Sequence, residues 1–586
     1  MVPTVSTPGG SFLTEDMTAD QIFTPEQFGS EARMMAQTAD EFLKREVLPH
    51  TEQIEAHDTE LMHRLMQKAG EAGLLGAEVP EVYGGLGLDN RTGALLAEKL
   101  NWQQSFALTH EAHTVIATLP LMYFGNHAQK SKYLPLLASG EWIGSFALSE
   151  SGSGSDALGA QTRAVLSADG TRYVLNGTKM WITNTGFAQL FTVFAKVDGD
   201  KFSAFLVERD QPGVSFGKEE DKLGMRGTST RQVILENVQV PVENLIGEAG
   251  KGHYAAFCAL NMGRFKLEAG AVGGIKETIA TCAAYSKQRK QFGHAIADFG
   301  LIQAKIGDMA ARCFALESAV YRLAGLLDEV FDGITPEADD APAGYHHAAE
   351  EYTIECSIVK VVGSELYSWA TDEAIQIHGG NGYTEEFPVA RAWRDQRLLR
   401  IGEGANEIVR IAIVNTLLRR EKSGRIDLES ATRDAYEAPC AENLPEEELD
   451  ALPRRIKNAG LLLLDLARKE WGEKLLDEQE VVAAIADIFC AAYVSESALL
   501  RSKNLASKGS ALANSARDAT LLYTISAMNA VQPLASAATD HLANVNGNSQ
   551  VSGRLMGELM VWGRHDLIST RRRLAAAVLN REAYLW

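Results

Sequence analysis

The sequence predicts a mainly helical α+β protein in which one antiparallel β-domain interrupts a chain that is otherwise helix. Three observations carry that reading. Apolar residues recur at helical spacing from Pro25 to about Ser139 and again from His253 onward. After Trp142 they alternate instead in short runs rich in Val, Phe, Ile and Thr, separated by turn signals such as Asp198-Gly199-Asp200. The gaps between those runs are too short for helical crossovers, so the strands are expected to pair antiparallel. At 586 residues the chain exceeds one compact core, and about three or four domains are expected. The changes in texture divide it into an N-terminal helical domain (1–145), a β-domain (146–252), a helical bundle (253–420), a linker (421–448) and a C-terminal helical extension (449–586).

In the first domain Met34, Thr38, Phe42 and Leu43 recur at helical spacing, and Leu61, Leu65, Ala69 and Leu74 mark the next segment. Pro80 and the turn from Tyr83 to Gly87 separate helices. That turn holds a GxG, but no strand precedes it, so a dinucleotide site is not expected there. His110 and His113 lack the spacing of a zinc helix and read as structural or pocket-lining residues. The β-domain runs are Arg172–Leu175, Leu190–Val197, Phe202–Arg209 and Arg231–Val240. Helix returns through Asn261 to Arg289, resumes from Phe299 to about Val330, pauses in a Pro/Asp/Gly loop and continues through Ile375. In the extension, Val481, Ile485, Ile488, Phe489 and Ala492 mark one apolar face, and Arg571, Arg572 and Arg573 read as a solvated helix end.

Composition narrows the function. A net charge of −21 argues against non-specific nucleic-acid binding and against an anionic membrane surface. The six cysteines show no CxxC, so neither a disulfide framework nor a zinc site is expected, and a reducing cytoplasm is the default compartment. The N-terminus lacks a basic region followed by an apolar core. No apolar run in the sequence reads as a membrane span, the best candidate near Leu461–Leu464 being cut by Asp465.

Five motifs carry chemistry. FALSESGSGS (Phe146–Ser155) is a loop whose glycines expose backbone N–H groups and whose serines add small donors; alone, such a loop is more often a linker. KMWITNTG places Trp181 in a strand, where a tryptophan is usually core. NMGRFKLEAG carries Arg264, a poor core residue without a partner. YSKQRKQFG offers Arg289 as a bidentate cation for phosphate oxygens, or simply a basic helix end. The stretch from Gln376 to Val409 holds QIHGG, four arginines (Arg391, Arg394, Arg397, Arg400) and one acid, Glu403, between two glycines, where backbone can approach a ligand closely.

In this order the motifs resemble the acyl-CoA dehydrogenase family over roughly Phe23–Arg420, and the region after Glu421 resembles the C-terminal extension of its very-long-chain branch and long-chain bacterial relatives. The resemblance implies the acyl-CoA dehydrogenase fold, an N-terminal helical domain, a β-domain and a C-terminal four-helix bundle, with FAD held between domains and across a contact between subunits of a homodimer. It implies that Phe146, Leu148 and Ser149 touch the flavin ring, that Gly154 and Ser155 reach flavin and acyl-CoA, and that Trp181 and Thr183 lie at the ring's edge. Arg289 would meet the pyrophosphate with Gln291 and Phe292 beside it, and Gln376, Gly379 and Gly380 would support the adenosine diphosphate half from the neighbouring subunit. Ala405 and Glu407 would complete the cofactor site, and Asn261, Arg264 and Gly404 would meet the substrate with Ser155. Glu403 would take the α-proton of an acyl-CoA while the β-hydride leaves to flavin N5, giving a trans-2-enoyl-CoA in fatty-acid β-oxidation. An electron-transferring flavoprotein would then take the electrons. The extension and small Ala112 suggest a long acyl chain, with no transmembrane segment and peripheral membrane contact left open.

Three positions depart from the family pattern: Ser151 replaces a proline, Gly402 replaces an aromatic residue before the base, and Ala405 replaces a threonine after it. Gly402 is expected to widen the pocket for a bulkier acyl group, and Ala405 to remove a hydroxyl near the flavin. The competing readings are an acyl-CoA oxidase-type flavoenzyme and a non-catalytic flavoprotein scaffold or assembly factor. A nitroalkane oxidase would carry Asp where Glu403 stands.

Overall fold

The computed structural model describes residues 7–438, 449–546, 550–560 and 565–586; Cys440 and the last part of the expected linker, 439–448, lie outside them. The β-domain comprises β1 (Gly144–Ala147), β2 (Arg163–Leu166), β3 (Arg172–Thr183), β4 (Leu190–Val197), β5 (Lys201–Glu208), β6 (Val214–Phe216), β7 (Thr230–Pro241) and β8 (Leu245–Ile246). They form one sheet in the order β6-β7-β3-β2-β4-β5-β8, with β1 also on β4. All four expected runs are strands. The sheet is not wholly antiparallel, however: β1 and β2 both run parallel to β4. A parallel pair needs a long crossover, and here β3 supplies part of it in place of a helix. The lack of helical crossovers therefore did not exclude parallel pairing.

The first domain packs short helices around Asn90–Leu100. In the helix Ser30–Phe42 the buried face is Ala36, Ala39 and Phe42, whereas Met34 is 62% exposed and Thr38 lies on the same open side. The expected face was therefore rotated, because small alanines that allow close helix approach carry a weaker apolar signal than Met34. Leu61, Leu65 and Ala69 are buried on Thr59–Glu71, and Leu74 is buried just beyond its end.

The bundle is built from Gly252–Gln288, Gly300–Phe331, Thr353–His378 and Asn406–Lys422. The stretch expected as a linker begins inside that last helix and contains another, Leu428–Glu437, whose Leu428 and Ala435 are buried. In the extension, Gln479–Ser507 and Ala513–Asn546 pack against the bundle, Ala451–Trp471 packs on those two helices, and Leu567–Arg581 lies on Gly300–Phe331. One expectation is corrected here. Gln479–Ser507 is long and apolar enough to cross a membrane, although 83% of its most apolar window is buried inside the protein. It is read as a core helix, apolar on all sides because helices surround it. The closing arginines are not simply solvated: Arg571 pairs with Asp308 of the bundle at 2.7 Å and Arg573 with Asp518 at 2.8 Å.

The segment before the first helix is built in as well. The N–H groups of Gly9 and Gly10 donate to Glu351 and Glu355 at 2.8 and 2.6 Å, and Phe12 meets Tyr493 of the extension edge-on at 5.1 Å.

Candidate active site

The turn between the short 3-10 helix Gln396–Arg400 and the helix Asn406–Lys422 places Glu403. Its backbone is left-handed at two successive residues, Glu403 (φ 56°) and Gly404 (φ 98°). For a glutamate this conformation costs about 1 kcal/mol or more and persists only where neighbours over-determine it. They do. Arg264 donates from Nε to the Glu403 carbonyl at 2.9 Å, and Lys360 donates from Nζ to the Gly404 carbonyl at 2.6 Å. Lys360 also donates to Asn406 Oδ1 at 2.6 Å, and Asn406 Nδ2 donates to Ser364 at 3.0 Å and Glu365 at 3.1 Å. Asn261 accepts from Arg264 at 3.1 Å while its own amide donates to Thr353 at 2.9 Å and Ala349 at 3.2 Å.

These contacts give two of the expected site residues roles within the protein. Asn261 is buried, bonded to protein partners, and holds Arg264. Arg264 in turn grips the backbone of the candidate base.

The Glu403 carboxyl lies against Gly263 on the helix Gly252–Gln288. A Cβ at Gly263 would come within 3.1 Å of it, so only glycine leaves the carboxyl its full space. Its Oε2 is out of solvent and has no hydrogen-bond partner among the described residues. Burial pushes its pKa up to about 7, with Arg264 and then Lys360 pulling the other way. A half-buried acid with one oxygen out of solvent and unpartnered, poised near neutrality, has the properties of a general base.

A cavity of about 20 Å³, room for roughly one water, lies beside this site among Leu96, His110, Glu111, Thr114, Val115 and Met122. Burial and then the charge of Glu403 push Glu111 up to about 8. His110 and His113 have the structural role expected: each meets a backbone carbonyl, Leu74 at 3.1 Å and Leu137 at 3.0 Å, and burial pushes them down to about 4 and about 3. Ala112 is buried at the head of a π-helical segment, Ala112–Ala117, on the same wall.

At one end of the β-domain the structure joins the first two motifs. Met180 N–H donates to the Ser149 carbonyl at 2.9 Å, and buried Lys179 bonds both the Leu148 carbonyl at 3.0 Å and Glu150 at 2.7 Å. This pins the Gly/Ser loop to the strand bearing Trp181. Between Lys179 and Ile182 the β3–β7 register slips, and there Trp181 adopts φ 57° and leaves its ring 59% exposed. A bulge re-aims a side chain out of the sheet, which is why this strand tryptophan is not core. Gly154 and Ser155 are exposed, and Ser149 and Thr183 are half-buried nearby. Phe146 differs from expectation: its ring packs edge-on to Phe194 at 5.0 Å and, like Leu148, is buried in the core beneath the loop.

The fourth and fifth motifs are joined elsewhere. Tyr285 stacks on His378 at 4.1 Å and donates to its carbonyl at 3.1 Å, and Asn381 donates to the Tyr285 hydroxyl at 3.1 Å. Around that joint Arg289, Gln291, Phe292, Gln376, Gly379 and Gly380 are all exposed, Phe292 at 91% with φ 54°. Glu407 is exposed in the first turn of its helix, and Ala405 is that helix's N-cap, with no side-chain capping bond. The expected site residues thus fall into three groups, around Glu403, Trp181 and Arg289, and no hydrogen bond or ring contact among the described residues links one group to another. The sequence reading missed Lys360, Asn406, Glu111 and Gly263. Lys360 alone had a visible signal, a single cation in the apolar run CSIVKVVG.

Comparison with known proteins gives four family models. They match the acyl-CoA dehydrogenase N-terminal domain over residues 29–141, the middle domain over 145–238, and acyl-CoA dehydrogenase C-terminal domains over 250–418 and 455–556. A probable acyl-CoA dehydrogenase of Bacillus subtilis is 45% identical over 98% of both chains. The very long-chain specific acyl-CoA dehydrogenase of Bos taurus is 37% identical over 68% of this chain and 60% of its own. Among solved structures, an acyl-CoA dehydrogenase complexed with FAD from Bacillus anthracis superposes with a TM-score of 0.94 at 43% identity, covering 99% of this chain and 100% of that one.

Proposed function

The chain belongs to the acyl-CoA dehydrogenase family, and on that footing we propose that it uses FAD to desaturate a long-chain acyl-CoA between its α and β carbons, with Glu403 as the base. The observation that carries the reading is Glu403 itself: a left-handed backbone, a carboxyl oxygen out of solvent without a partner, and a pKa pushed up to about 7.

The residues present fit the cofactor. The bulge presents a tryptophan ring to solvent beside a loop of small donors, and a Cβ at Gly152 or Gly154 would meet nothing, which leaves the loop open to a planar group. Arg289 stands exposed where a bidentate cation could meet phosphate oxygens. Bound FAD supplies the acceptor for the β-hydride.

The α-proton of a thioester is weakly acidic, so the chain must both receive it and stabilise the charge left behind. Glu403 does the first, and its burial makes it a stronger base than a solvated carboxylate. For the second, the turn matters. With the carbonyls of Glu403 and Gly404 fixed by Arg264 and Lys360, the backbone around Glu403 is preorganised. Its N–H, which makes no hydrogen bond among the described residues, is the donor we assign to the thioester oxygen. An acyl chain bound against Glu403 would exclude water from both.

A long acyl group is favoured by the likeness to a very long-chain specific relative. We infer an electron-transferring flavoprotein as electron acceptor. A homodimer is supported by the exposed Phe292 and Tyr383, at 91% and 88%, which a second copy would cover. A cytoplasmic location accords with the five described cysteines, all buried free thiols. The test is anaerobic bleaching of the flavin by acyl-CoAs of graded length. Bleaching abolished in Glu403→Gln with flavin retained supports the dehydrogenase. Rapid reoxidation by air points to an oxidase, and flavin that no thioester bleaches points to a scaffold.

A further inference from the structure

Lys360 sits in the middle of the helix Thr353–His378, fully buried, where a cation is costly. It makes no ion pair closer than 4 Å to a carboxylate among the described residues; its Nζ is committed instead to two neutral oxygens, the Gly404 carbonyl and Asn406 Oδ1, both at 2.6 Å. Both belong to the turn that carries Glu403. The carboxylates and cations that face it are Glu268 and Arg264 from the helix Gly252–Gln288, Glu365 from its own helix, and Glu403. Glu268 is buried with neither oxygen partnered, burial raises its pKa well above the ordinary value, and it makes no ion pair with Lys360 within 4 Å among the described residues.

We propose that Lys360 is a positioning residue for the reaction: its ammonium holds the left-handed Glu403–Gly404 turn and lends positive potential to the Glu403 carboxylate, so that the base is competent only while Lys360 is protonated. The proposal rests on Glu403 being the base. A neutral amine would still reach one oxygen, but it could not donate to both with the strength of a charge-assisted bond, and Glu403 would lose one of the two cations that hold its proton affinity down. Burial lowers the Lys360 pKa to about 8, within reach of an activity profile. The rate of flavin reduction is then expected to be bell-shaped, rising as Glu403 loses its proton near pH 7 and falling as Lys360 loses its own near pH 8.

The experiment is the pH dependence of anaerobic flavin bleaching at saturating acyl-CoA in Lys360→Arg and Lys360→Gln holoenzymes, beside the unmodified protein and Glu403→Gln. Arginine stays charged throughout, so the alkaline limb is lost and the acid limb stays in place. Glutamine keeps a donor but no charge, so reduction stays at the slow, high-pH level across the whole profile with no alkaline limb, and the acid limb moves up by about one pH unit, a further roughly tenfold loss at pH 6. An alkaline limb unchanged in either variant overturns the proposal, as does an acid limb that stays put in Lys360→Gln. Should neither variant retain flavin, the temperature dependence of the alkaline limb in the unmodified enzyme decides: steep, as for an ammonium, supports the assignment, and shallow, as for a carboxyl, overturns it. Glu403→Gln separates the two readings, because bleaching that survives in it refutes the base rather than its support.

Discussion

Glu403 makes opposite demands on activity and stability. A carboxyl whose pKa is raised from 4.5 to about 7 binds a proton more tightly folded than unfolded. Stability is therefore greatest below pH 4.5 as far as this group is concerned, and declines as pH rises through the window from 4.5 to 7. In its proposed role as the base, activity runs the other way, since only the ionised form accepts a proton. Glu403→Gln, inactive at every pH, is accordingly expected to be more stable than the unmodified protein above pH 7, by up to about 3 kcal/mol, and equally stable near pH 4.5. Paired urea melts at pH 5 and pH 8 check this; an equal difference at both would show that the carboxyl's ionisation is not the cause. Gly402 poses a separate question. A Cβ there would meet only Leu398, at 3.6 Å and beyond, so the position has room for a side chain. Gly402→Phe should keep flavin and turnover of unbranched acyl-CoAs while lowering kcat/KM for branched ones about tenfold, measured as the ratio between the two substrates. An unmoved ratio would mean that this glycine does not shape the pocket.

At the scale of elements, the helix that begins at Asn406 lacks an N-cap side chain because Ala405 stands at the cap. The sequence reading treated Ala405 as a hydroxyl lost to the flavin; the structure gives the loss a local meaning as well. Ala405→Thr should raise stability by about 1 kcal/mol, read as a higher urea midpoint, whether or not flavin is bound. The facing helix constrains the same site from the other side. Gly263→Val would drive a branched side chain into the Glu403 carboxyl, 3.1 Å from a bare Cβ, and should reduce the bleaching rate at least about a hundredfold with the flavin spectrum unchanged. The motifs EGAN and KMWITN singled out Glu403 and Trp181 through their resemblance to the family pattern, while the left-handed turn and the bulge that carry them were not legible. Gly263 and Lys360 were not legible in this way. Their meaning comes from helix pairs that bring residues more than forty positions apart to one carbonyl or one carboxyl, and nothing local marks them beyond a glycine or a lysine in an apolar run. The same limit explains the misplaced face of Ser30–Phe42, where Ala36 and Ala39 outweigh Met34.

Across the whole molecule, one buried cluster joins the extension to the flavoenzyme body. Glu317 of the bundle accepts from Lys276 at 2.5 Å, Arg501 at 2.6 Å and Tyr584 at 2.6 Å. Arg501, in the most apolar helix of the extension, also meets Glu26 of the N-terminal segment at 2.7 Å, and Lys276 reaches Glu98 of the first domain at 2.7 Å. Burial alone would push the Glu317 carboxyl up, but Arg501 and Lys276 outweigh it and hold it well below the usual carboxylate range. The fold order was readable from sequence; this cross-linking of the two chain ends was not, because Arg501 and Glu317 look like surface charges on a helix until the helices are assembled. An isolated buried pair adds little net stability over apolar residues, yet removing one partner strands the other. Arg501→Met should therefore cost about 3 kcal/mol by leaving Glu317 and Glu26 each short of a cation. The loss should appear first in the extension, as proteolysis or hydrogen exchange within Gln479–Ser507 at denaturant concentrations where the flavin is still bound. Arg573→Ala, which breaks a pair whose arginine is 58% exposed, is the control and should cost under about 1 kcal/mol. If the two variants melt alike, the cluster does not couple the extension to the body, and the apolar packing of Gln479–Ser507 must hold it alone.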